Sequence, residues 1–373
     1  MGFSDEDRKQ MKRALKLAGR GAGYVAPNPM VGCVICSREG DVIGEGYHER
    51  YGQNHAEINA LNSIKDRSDL VDATVYVSLE PCSHHGKTPP CAHELAKYPL
   101  KRVVVAMTDP NPEVDGKGLM HLKANGITVE TGLLEEEARK LNEVFIYNIR
   151  FGKPFVILKV AQTLDGFIAA ADGDSRWISS QKAREMVHRW RSEYDAVLVG
   201  RNTALLDNPK LTVRLVNGRQ PRRIVLDGSG ALPTDLHLFS DIHEDKTIRV
   251  TYRKEQVAEG TEAALNMLQP DYFRGKTIYV SELNGHCNLE QAIHKIGELG
   301  ISSILVEAGN NLASALVREN LVDKLQLFVA PKMLGGGTRS FLGLGIERMS
   351  EIIEFKSPRW TQTGEDMLFT GYF

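Results

Sequence analysis

Hydrophobic and polar positions alternate between a helix period and a strand period along the first 150 residues. Apolar residues between positions 11 and 18 recur every three or four positions and predict a helix, which Ser4 and Asp7 would cap. The pattern further predicts strands at 31–36, 42–47, 73–79, 102–107 and 127–131, and helices at 55–64, 91–98, 116–125 and 135–149. Strands that alternate with helices indicate a layered α/β domain.

A second α/β pattern begins after position 150, where Phe151-Gly152-Lys153-Pro154 interrupts the last predicted helix. We therefore expect two domains, 1–150 and 151–373. The polar stretch 234–275 has no clear period, and we interpret it as a peripheral excursion. The second pattern predicts strands at 155–161, 196–199, 223–227, 277–281, 303–307 and 324–330, and helices at 180–191, 289–299 and 311–319.

Composition narrows the class of function. Of 373 residues, 42% are hydrophobic and 25% are charged, and 46 basic against 48 acidic side chains give a net charge of −2. This balance argues against a broad nucleic-acid surface. We also expect no membrane span and no secretory signal, because long apolar runs are missing. Five cysteines, an odd and sparse number, favour a reducing cytoplasm with a metal site over a disulfide framework.

A candidate zinc site combines His55, Cys82 and Cys91 with the carboxylate of Glu57. One imidazole and two thiolates suit a catalytic zinc ion, which keeps its fourth position open for a water of lowered pKa. His55 and Glu57 begin a predicted helix, where both side chains lean toward the helix end. Cys91 begins another, where a thiolate is favoured. We expect the histidine and both cysteines to bind zinc and Glu57 to move protons.

The spacing leaves an alternative for the third ligand. The zinc deaminase signature H-x-E…P-C-x-x-C would place that ligand at His85 in this chain. We favour Cys91 because thiolate suits zinc and because a double proline precedes it. Cys33 and Cys36 also have a metal-like spacing, but positions i and i+3 of a strand face opposite sides, which favours core packing.

The sequence motifs in the second half indicate a function less specifically. A predicted strand passes through Gly309 into a helix N-terminus, whose free N–H groups suit a phosphate. The segment is not the G-x-G-x-x-G of a Rossmann domain. Arg191 and Arg214 are candidate phosphate ligands, since guanidinium binds phosphate through two hydrogen bonds, although such arginines are more often solvated surface charges.

Four segments of the first half form a distinctive set: APNPMVG at 26–32, GYH at 46–48, HAE at 55–57 and PCSHHGKTPPC at 81–91. With these segments the first half resembles the deaminase half of the bifunctional deaminase/reductase family of riboflavin biosynthesis. The resemblance implies a cytidine-deaminase-like three-layer α/β/α domain. It also implies that Cys91 completes the zinc site, that Glu57 shuttles protons, and that Asn28 and His48 contact the pyrimidine.

The second half resembles the reductase domain of the same family, which implies a dihydrofolate-reductase-like α/β domain that uses NADPH. The resemblance rests on DG at 165–166, SRWI at 175–178, DNPKLTVR at 207–214 and VEAG at 306–309. The family has a serine where this chain has Gly228, so only a backbone contact could survive there. The implied cofactor contacts are Ala161, Trp177, Thr203, Asp207, Gly228, Gly309, Asn310, Asn311, Leu312, Ala313, Ser314 and Ala315. The implied substrate contacts are Ser175, Arg191, Leu211, Arg214 and Glu307, to which we add Lys159 as a group that could stabilise charge near the ribose.

The resemblance implies two reactions. The first is zinc-dependent hydrolytic deamination of 2,5-diamino-6-(5-phosphoribosylamino)pyrimidin-4(3H)-one. The second is NADPH-dependent reduction of the ribosyl group of 5-amino-6-(5-phosphoribosylamino)uracil to ribityl. We expect a cytoplasmic homo-oligomer that acts on these small molecules and binds neither nucleic acid nor membrane.

Three other functions would also fit parts of the sequence. A nucleic-acid deaminase would need a basic, aromatic-rich second domain, which the net charge of −2 and the aromatic content of 7% disfavour. A structural zinc domain would need four closed protein ligands. The third alternative is a relative in which one half has decayed.

Overall fold

The computed structural model describes residues 2–83, 90–111, 116–252 and 273–373. The chain divides into two compact units, Met1–Gly152 and Lys153–Phe373. Each unit is built on its own β-sheet. Within the described ranges, no helix has the length and apolar character needed to cross a bilayer.

The first unit contains a five-stranded mixed sheet. Its strands are β1 (Gly32–Cys36), β2 (Val42–Tyr47), β3 (Thr74–Val77), β4 (Arg102–Val105) and β5 (Thr128–Thr131). Its helices are α1 (Asp5–Ala18), α2 (Ala56–Asn62), α3 (Cys91–Leu95), α4 (Lys117–Ala124), α5 (Glu135–Leu141) and α6 (Glu143–Phe151). The order across the sheet is β2-β1-β3-β4-β5, in which β1 is antiparallel to both of its neighbours and β3, β4 and β5 run parallel.

Alternate residues of the central strands face two separate cores. Ile35 and Val103 pack in the core that α2, α3 and α4 cover, whereas Val34 and Val104 pack in the core under α1 and α5. The unit therefore has the three layers expected from the sequence. Cys33 and Cys36 are buried in different cores, on opposite faces of β1.

Helix α1 begins as the sequence predicts. The Ser4 hydroxyl accepts a hydrogen bond from the Asp7 N–H at 3.1 Å, and the Asp7 carboxylate accepts one from the Ser4 N–H at 2.9 Å. This reciprocal pair satisfies donors that a helix N-terminus otherwise leaves open.

The single helix predicted at 135–149 is wrong, because the structure has two helices, α5 and α6, that meet at Asn142. The side chain of Asn142 accepts a hydrogen bond from the Met30 N–H at 2.8 Å and donates one to the Met30 carbonyl at 3.0 Å. Asn142 is 1% exposed. An apolar period carries no sign of such a long-range contact.

The second unit contains a nine-stranded sheet of order β11-β10-β9-β8-β14-β6-β15-β18-β17. The first seven strands in this spatial order, from β11 to β15, are parallel to one another. Strands β18 and β17 follow at the edge beside β15, and each pairs antiparallel with its neighbour. The strands of this unit are β6 (Phe155–Thr163), β7 (Phe167–Ala169), β8 (Ala196–Gly200), β9 (Arg222–Leu226), β10 (Thr247–Tyr252), β11 (Lys276–Val280), β12 (Glu282–Leu283), β13 (His286–Cys287), β14 (Ser303–Glu307), β15 (Lys324–Ala330), β16 (Thr338–Arg339), β17 (Lys356–Thr363) and β18 (Asp366–Tyr372). The described helices are α7 (Gln181–Glu193), α8 (Arg201–Asp207), α9 (His237–Ser240), α10 (Leu289–Glu298) and α11 (Asn310–Arg318).

The interpretation of 234–275 as a peripheral excursion is wrong for its described part. Strand β10 lies inside the sheet between β9 and β11, and most of its residues are buried. Its polar residues are buried with partners: the Thr247 hydroxyl donates to the Leu238 carbonyl at 2.6 Å, and the guanidinium of Arg249 lies 4.4 Å from the ring of Phe239. Residues 253–272 lie outside the described ranges.

Candidate active sites

The three predicted zinc ligands come together in the first unit. His55 precedes α2, Cys82 lies in the loop that follows β3, and Cys91 is the first residue of α3. The Nδ1 atom of His55 lies 3.5 Å from Sγ of Cys82 and 3.4 Å from Sγ of Cys91. Tetrahedral zinc with bonds of about 2.0–2.1 Å to nitrogen and 2.3 Å to sulfur separates such atoms by about 3.5 Å. The donor set therefore fits a zinc ion.

The electrostatics at Cys82 also suit a cation, whereas the hydrogen bond with Cys82 and burial raise the pKa of the Cys91 thiol. Hydrogen bonds involving Cys91 and His55 lower the pKa of the Cys82 thiol to about 4, which favours the thiolate that metal binding requires. The Cys91 N–H also donates to Sγ of Cys82 at 3.3 Å. The alternative ligand, His85, lies outside the described residues.

Glu57 lies in the first turn of α2, beside this cluster, and is 3% exposed. Burial is the main cause that raises the pKa of its carboxyl to about 7, and the nearby charge of Cys82 adds to it. Its Oε2 atom is buried and has no hydrogen-bond partner among the described residues. An unsatisfied buried carboxyl oxygen beside a metal-ligand cluster is typical of a catalytic group.

Asn28 and His48, the predicted pyrimidine contacts, lie together next to the metal cluster. The Asn28 side-chain amide lies 3.2 Å from Nε2 of His48, and Nδ1 of His48 lies 3.0 Å from the Asn54 carbonyl. The carbonyl can only accept, so Nδ1 carries the proton and Nε2 accepts from Asn28. The His48 and His55 rings meet edge-on, with centroids 5.4 Å apart.

A cavity of about 780 Å³ lies in the second unit, at the carboxyl ends of β8, β9, β10 and β14. Its volume is that of a small-molecule or cofactor site. At one wall, Gly309 leads into α11, whose first N–H groups suit a phosphate. The cavity is therefore suited to a dinucleotide. Predicted cofactor residues that line it are Thr203, Gly228, Gly309, Asn310, Asn311, Leu312, Ser314 and Ala315.

The remaining predicted cofactor residues, Ala161, Trp177, Asp207 and Ala313, do not line this cavity. Ala313 is buried in the core, and Ala161 lies in β6. Trp177 is 63% exposed, and its ring packs against the guanidinium of Arg184 at 4.4 Å.

The predicted substrate residues centre on Glu307 and Arg191. Both oxygens of Glu307 accept hydrogen bonds from the Arg191 guanidinium, at 2.6 and 2.9 Å, and Arg191 also donates to the Thr212 carbonyl at 3.1 Å. Burial alone would raise the pKa of Glu307, but Arg191 and the charge of Lys159 outweigh it and lower this pKa to about 2. The charge of Arg191 is thus already balanced by a carboxylate.

Lys159 lies opposite Glu307 in the register of β6 and β14, and burial lowers its pKa. Arg214 is exposed and Leu211 is 2% exposed, and both follow α8. Ser175 lies exposed in the loop before α7.

Sequence reasoning missed His188, which joins this cluster. It is 4% exposed, and its Nδ1 accepts a hydrogen bond from the Arg214 N–H at 3.1 Å. Burial, together with the charges of Arg191 and Arg214, lowers its pKa to about 4, so the ring is neutral near pH 7. Its position three residues before Arg191 on a predicted helix was the available signal, because such residues share a helix face.

Comparisons with known proteins agree with the two units. Residues 4–107 match the family model described as "Cytidine and deoxycytidylate deaminase zinc-binding region", and residues 154–369 match "RibD C-terminal domain". Among curated relatives, the riboflavin biosynthesis protein RibD of Aquifex aeolicus is 40% identical over 363 residues, which are 97% of each chain. The RibD protein of Escherichia coli is 39% identical in an alignment of 376 positions that covers 97% of this chain and 98% of that protein.

Solved structures of RibD proteins are similar to this chain over both units. Acinetobacter baumannii RibD has a TM-score of 0.83 at 35% identity and covers 98% of each chain. A diaminohydroxyphosphoribosylaminopyrimidine deaminase/5-amino-6-(5-phosphoribosylamino)uracil reductase from Thermotoga maritima also has a TM-score of 0.83, at 36% identity and 98% coverage of each chain.

Proposed function

The chain belongs to the RibD family and is a bifunctional deaminase and reductase of riboflavin biosynthesis, and from that premise we propose how its residues divide the work. Its first unit deaminates 2,5-diamino-6-(5-phosphoribosylamino)pyrimidin-4(3H)-one by hydrolysis. Its second unit uses NADPH to reduce the ribosyl group of 5-amino-6-(5-phosphoribosylamino)uracil to ribityl. The observation that carries the first half is the cluster of His55, Cys82 and Cys91 beside the buried, unsatisfied carboxyl of Glu57.

In the first unit, His55, Cys82 and Cys91 hold the zinc ion. Zinc bound there supplies Lewis-acid activation of the attacking water. Glu57 would accept one proton from that water and pass it to the pyrimidine ring nitrogen. It would then accept the second proton of the same water and pass it to the amino group, which leaves as ammonia. Asn28 and His48 orient the pyrimidine, which their joint hydrogen bond and their place next to His55 support.

In the second unit, NADPH supplies hydride for C1′ of the ribose, and the chain holds the substrate against it. Lys159 stabilises charge near the ribose, because it lies beside Glu307 within the partly buried cluster. Arg191 orients Glu307 through two hydrogen bonds. Arg214 is exposed, and we assign the substrate phosphate to it because bidentate guanidinium contacts suit phosphate.

The deaminase assignment is tested with Glu57→Gln. Because general acid–base catalysis contributes about 100-fold or more, deaminase turnover should fall by at least that factor while zinc content stays at one ion per chain. NADPH-dependent reduction of the uracil intermediate should persist, which separates this effect from global unfolding. Glu39→Gln, at an exposed turn, is the matched control. Retained deaminase turnover in Glu57→Gln would refute the proton-shuttle role.

The phosphate assignment is tested with Arg214→Gln. The KM for 5-amino-6-(5-phosphoribosylamino)uracil should rise by about tenfold or more, since a charge-assisted contact is lost, and the dephosphorylated substrate should show no such change. Arg222→Gln, which removes an exposed charge elsewhere in the unit, should leave KM unaltered. Equal effects on both substrates would exclude a phosphate contact.

We further propose that the enzyme is a cytoplasmic homo-oligomer that does not bind nucleic acid. All five cysteines are free, which suits a reducing compartment. The net charge of −2 supports the absence of a nucleic-acid surface. Sedimentation equilibrium tests the oligomeric state, and a monomer would contradict it. Filter binding with tRNA tests the absence of nucleic-acid binding, and a salt-dependent tRNA complex would contradict it.

A further inference from the structure

Tyr252 and Gly228 lie at one end of the cavity in the second unit, and no side chain at this end has yet been given a role in binding. Tyr252 ends β10, and Gly228 follows β9; both line the cavity. The family serine expected at position 228 is replaced here by glycine, so this side of the cavity offers no hydroxyl from that position. The aromatic ring of Tyr252 takes its place.

The order of the strands shows which end of the cavity lies nearer to the substrate cluster. Glu307 ends β14 and Lys159 lies in the neighbouring β6, so the substrate cluster marks one side. In the opposite direction, the sheet continues from β14 through β8 and β9 to β10. With strands about 4.8 Å apart, Tyr252 lies roughly 14 Å across the sheet from β14. A dinucleotide whose nicotinamide lies at the substrate cluster and whose pyrophosphate lies at Gly309 directs its adenosine toward Tyr252.

Gly228 is what allows the tyrosine ring to lie here. A Cβ atom at position 228 would lie 2.6 Å from Cε1 and 3.1 Å from Cδ1 of Tyr252. The backbone fixes this approach, because the Tyr252 N–H donates to the Gly228 carbonyl at 3.1 Å. A side chain at 228 and the ring in this position therefore exclude each other.

Apolar side chains line part of the cavity beside the ring. Leu226 and Cys287 line the same cavity, and the Cys287 thiol donates to the Val250 carbonyl of β10, which keeps it next to this strand. Tyr252 is half-buried and packs against the apolar core of the unit. An aromatic face in an apolar recess is suited to a planar base, which gains from stacking and from leaving water.

We propose that Tyr252 forms the adenine contact of the NADPH site and that Gly228 makes room for it, in place of the family serine. This inference rests on the proposed reductase function of the second unit. In this proposal the ring of Tyr252 contributes to binding the adenosine half of NADPH, and the residues named above bind the nicotinamide half.

The test measures ligand affinity on the full chain by calorimetry, independently of turnover. The probes are NADPH, adenosine 2′,5′-bisphosphate and reduced nicotinamide mononucleotide. Tyr252→Ala should weaken NADPH and the bisphosphate by the same factor, at least about fivefold, and leave the mononucleotide unchanged. Tyr252→Phe should stay within about twofold, because the ring is kept. Tyr279→Ala, which removes a tyrosine of β11 that does not line the cavity, is the matched control.

A double-mutant cycle tests the role of the glycine. Gly228→Ala should weaken the bisphosphate on its own, because the new methyl group displaces the ring, and should have no further effect when Tyr252 is already alanine. The inference is overturned if Tyr252→Ala leaves bisphosphate affinity unchanged in a folded protein, or if the two substitutions act additively. If the unaltered chain binds no NADPH, the proposed reductase function itself fails.

Discussion

The ion pair of Asp7 with Arg102 should make the stability of the first unit depend on pH in acid. Asp7 is 5% exposed and accepts hydrogen bonds from the Arg102 guanidinium at 2.6 Å and from the Tyr76 hydroxyl at 2.8 Å. Burial alone would raise the pKa of Asp7, but these bonds and those from Ser4 outweigh it and lower the pKa from 3.8 to about 2. A shift of that size is worth about 2 kcal/mol.

The sign follows from the lowered pKa. The folded state favours the ionised carboxylate, so the contribution is fully present above the unfolded pKa of 3.8 and is lost as the pH falls through about 2. About half of it, roughly 1 kcal/mol, should remain at pH 3. Asp7→Asn should therefore destabilise the unit by at least about 2 kcal/mol at pH 7, because it also leaves Arg102 without its main partner, and by less at pH 3.

The assay is urea unfolding at pH 7 and pH 3, with hydrogen exchange of peptides from α1 and β3 used to follow the first unit alone. Asp5→Asn is the matched control, since it removes an exposed carboxylate from the first turn of the same helix. The reasoning would be refuted if both variants lost the same stability, or if the deficit of Asp7→Asn were as large at pH 3 as at pH 7.

Three further outcomes follow from the first unit. Cys91→Ser should lose most bound zinc, measured by elemental analysis, because one of three ligands goes; full zinc content would point to another ligand. Asn142→Ala should cost about 1–3 kcal/mol in urea, since both backbone groups of Met30 lose a partner, and should raise the deaminase KM, because Met30 lies two residues from Asn28, a proposed pyrimidine contact; Asn125→Ala at an exposed position should do neither. Gly32→Ala should cost at least about 2 kcal/mol, because its Cβ would lie 2.0 Å from a carbonyl oxygen of α1; an unchanged urea midpoint would show that α1 can shift.

Much of the first unit could be predicted because its determinants are local. Capping by Ser4 and the strand and helix periods act over a few residues, and the structure agrees with them to within a few positions. The break at Asn142 could not be predicted in this way, since its cause is a contact with Met30, 112 residues away in the chain. A helix boundary set by a tertiary hydrogen bond leaves the apolar period intact.

Strand β10 shows a second limit. Its sequence, TIRVTY, lies within a polar stretch that has no clear period overall, yet most of the strand is buried in the middle of a sheet. Its buried threonines have partners outside the strand: the Thr247 hydroxyl donates to the carbonyl of Leu238, and the Thr251 hydroxyl donates to the carbonyl of Gly228. Polar residues are excluded from a core only when they lack partners, so composition alone misjudges such a strand.

The two candidate sites also differ in how far they depend on contacts between residues that are distant in sequence. The predicted zinc ligands span only 37 positions and lie at helix and loop termini, so residue types and spacing could nominate them, with His85 as the alternative to Cys91. The reductase cluster instead joins Lys159, Arg191 and Glu307, whose proximity depends on β6 and β14 being neighbours in the sheet. Spacing could nominate Arg191 as a phosphate ligand but could not show that Glu307 already balances its charge. That pairing is why we propose Arg214 as the phosphate contact, and the backbone N–H of Arg214 donates to the ring of His188.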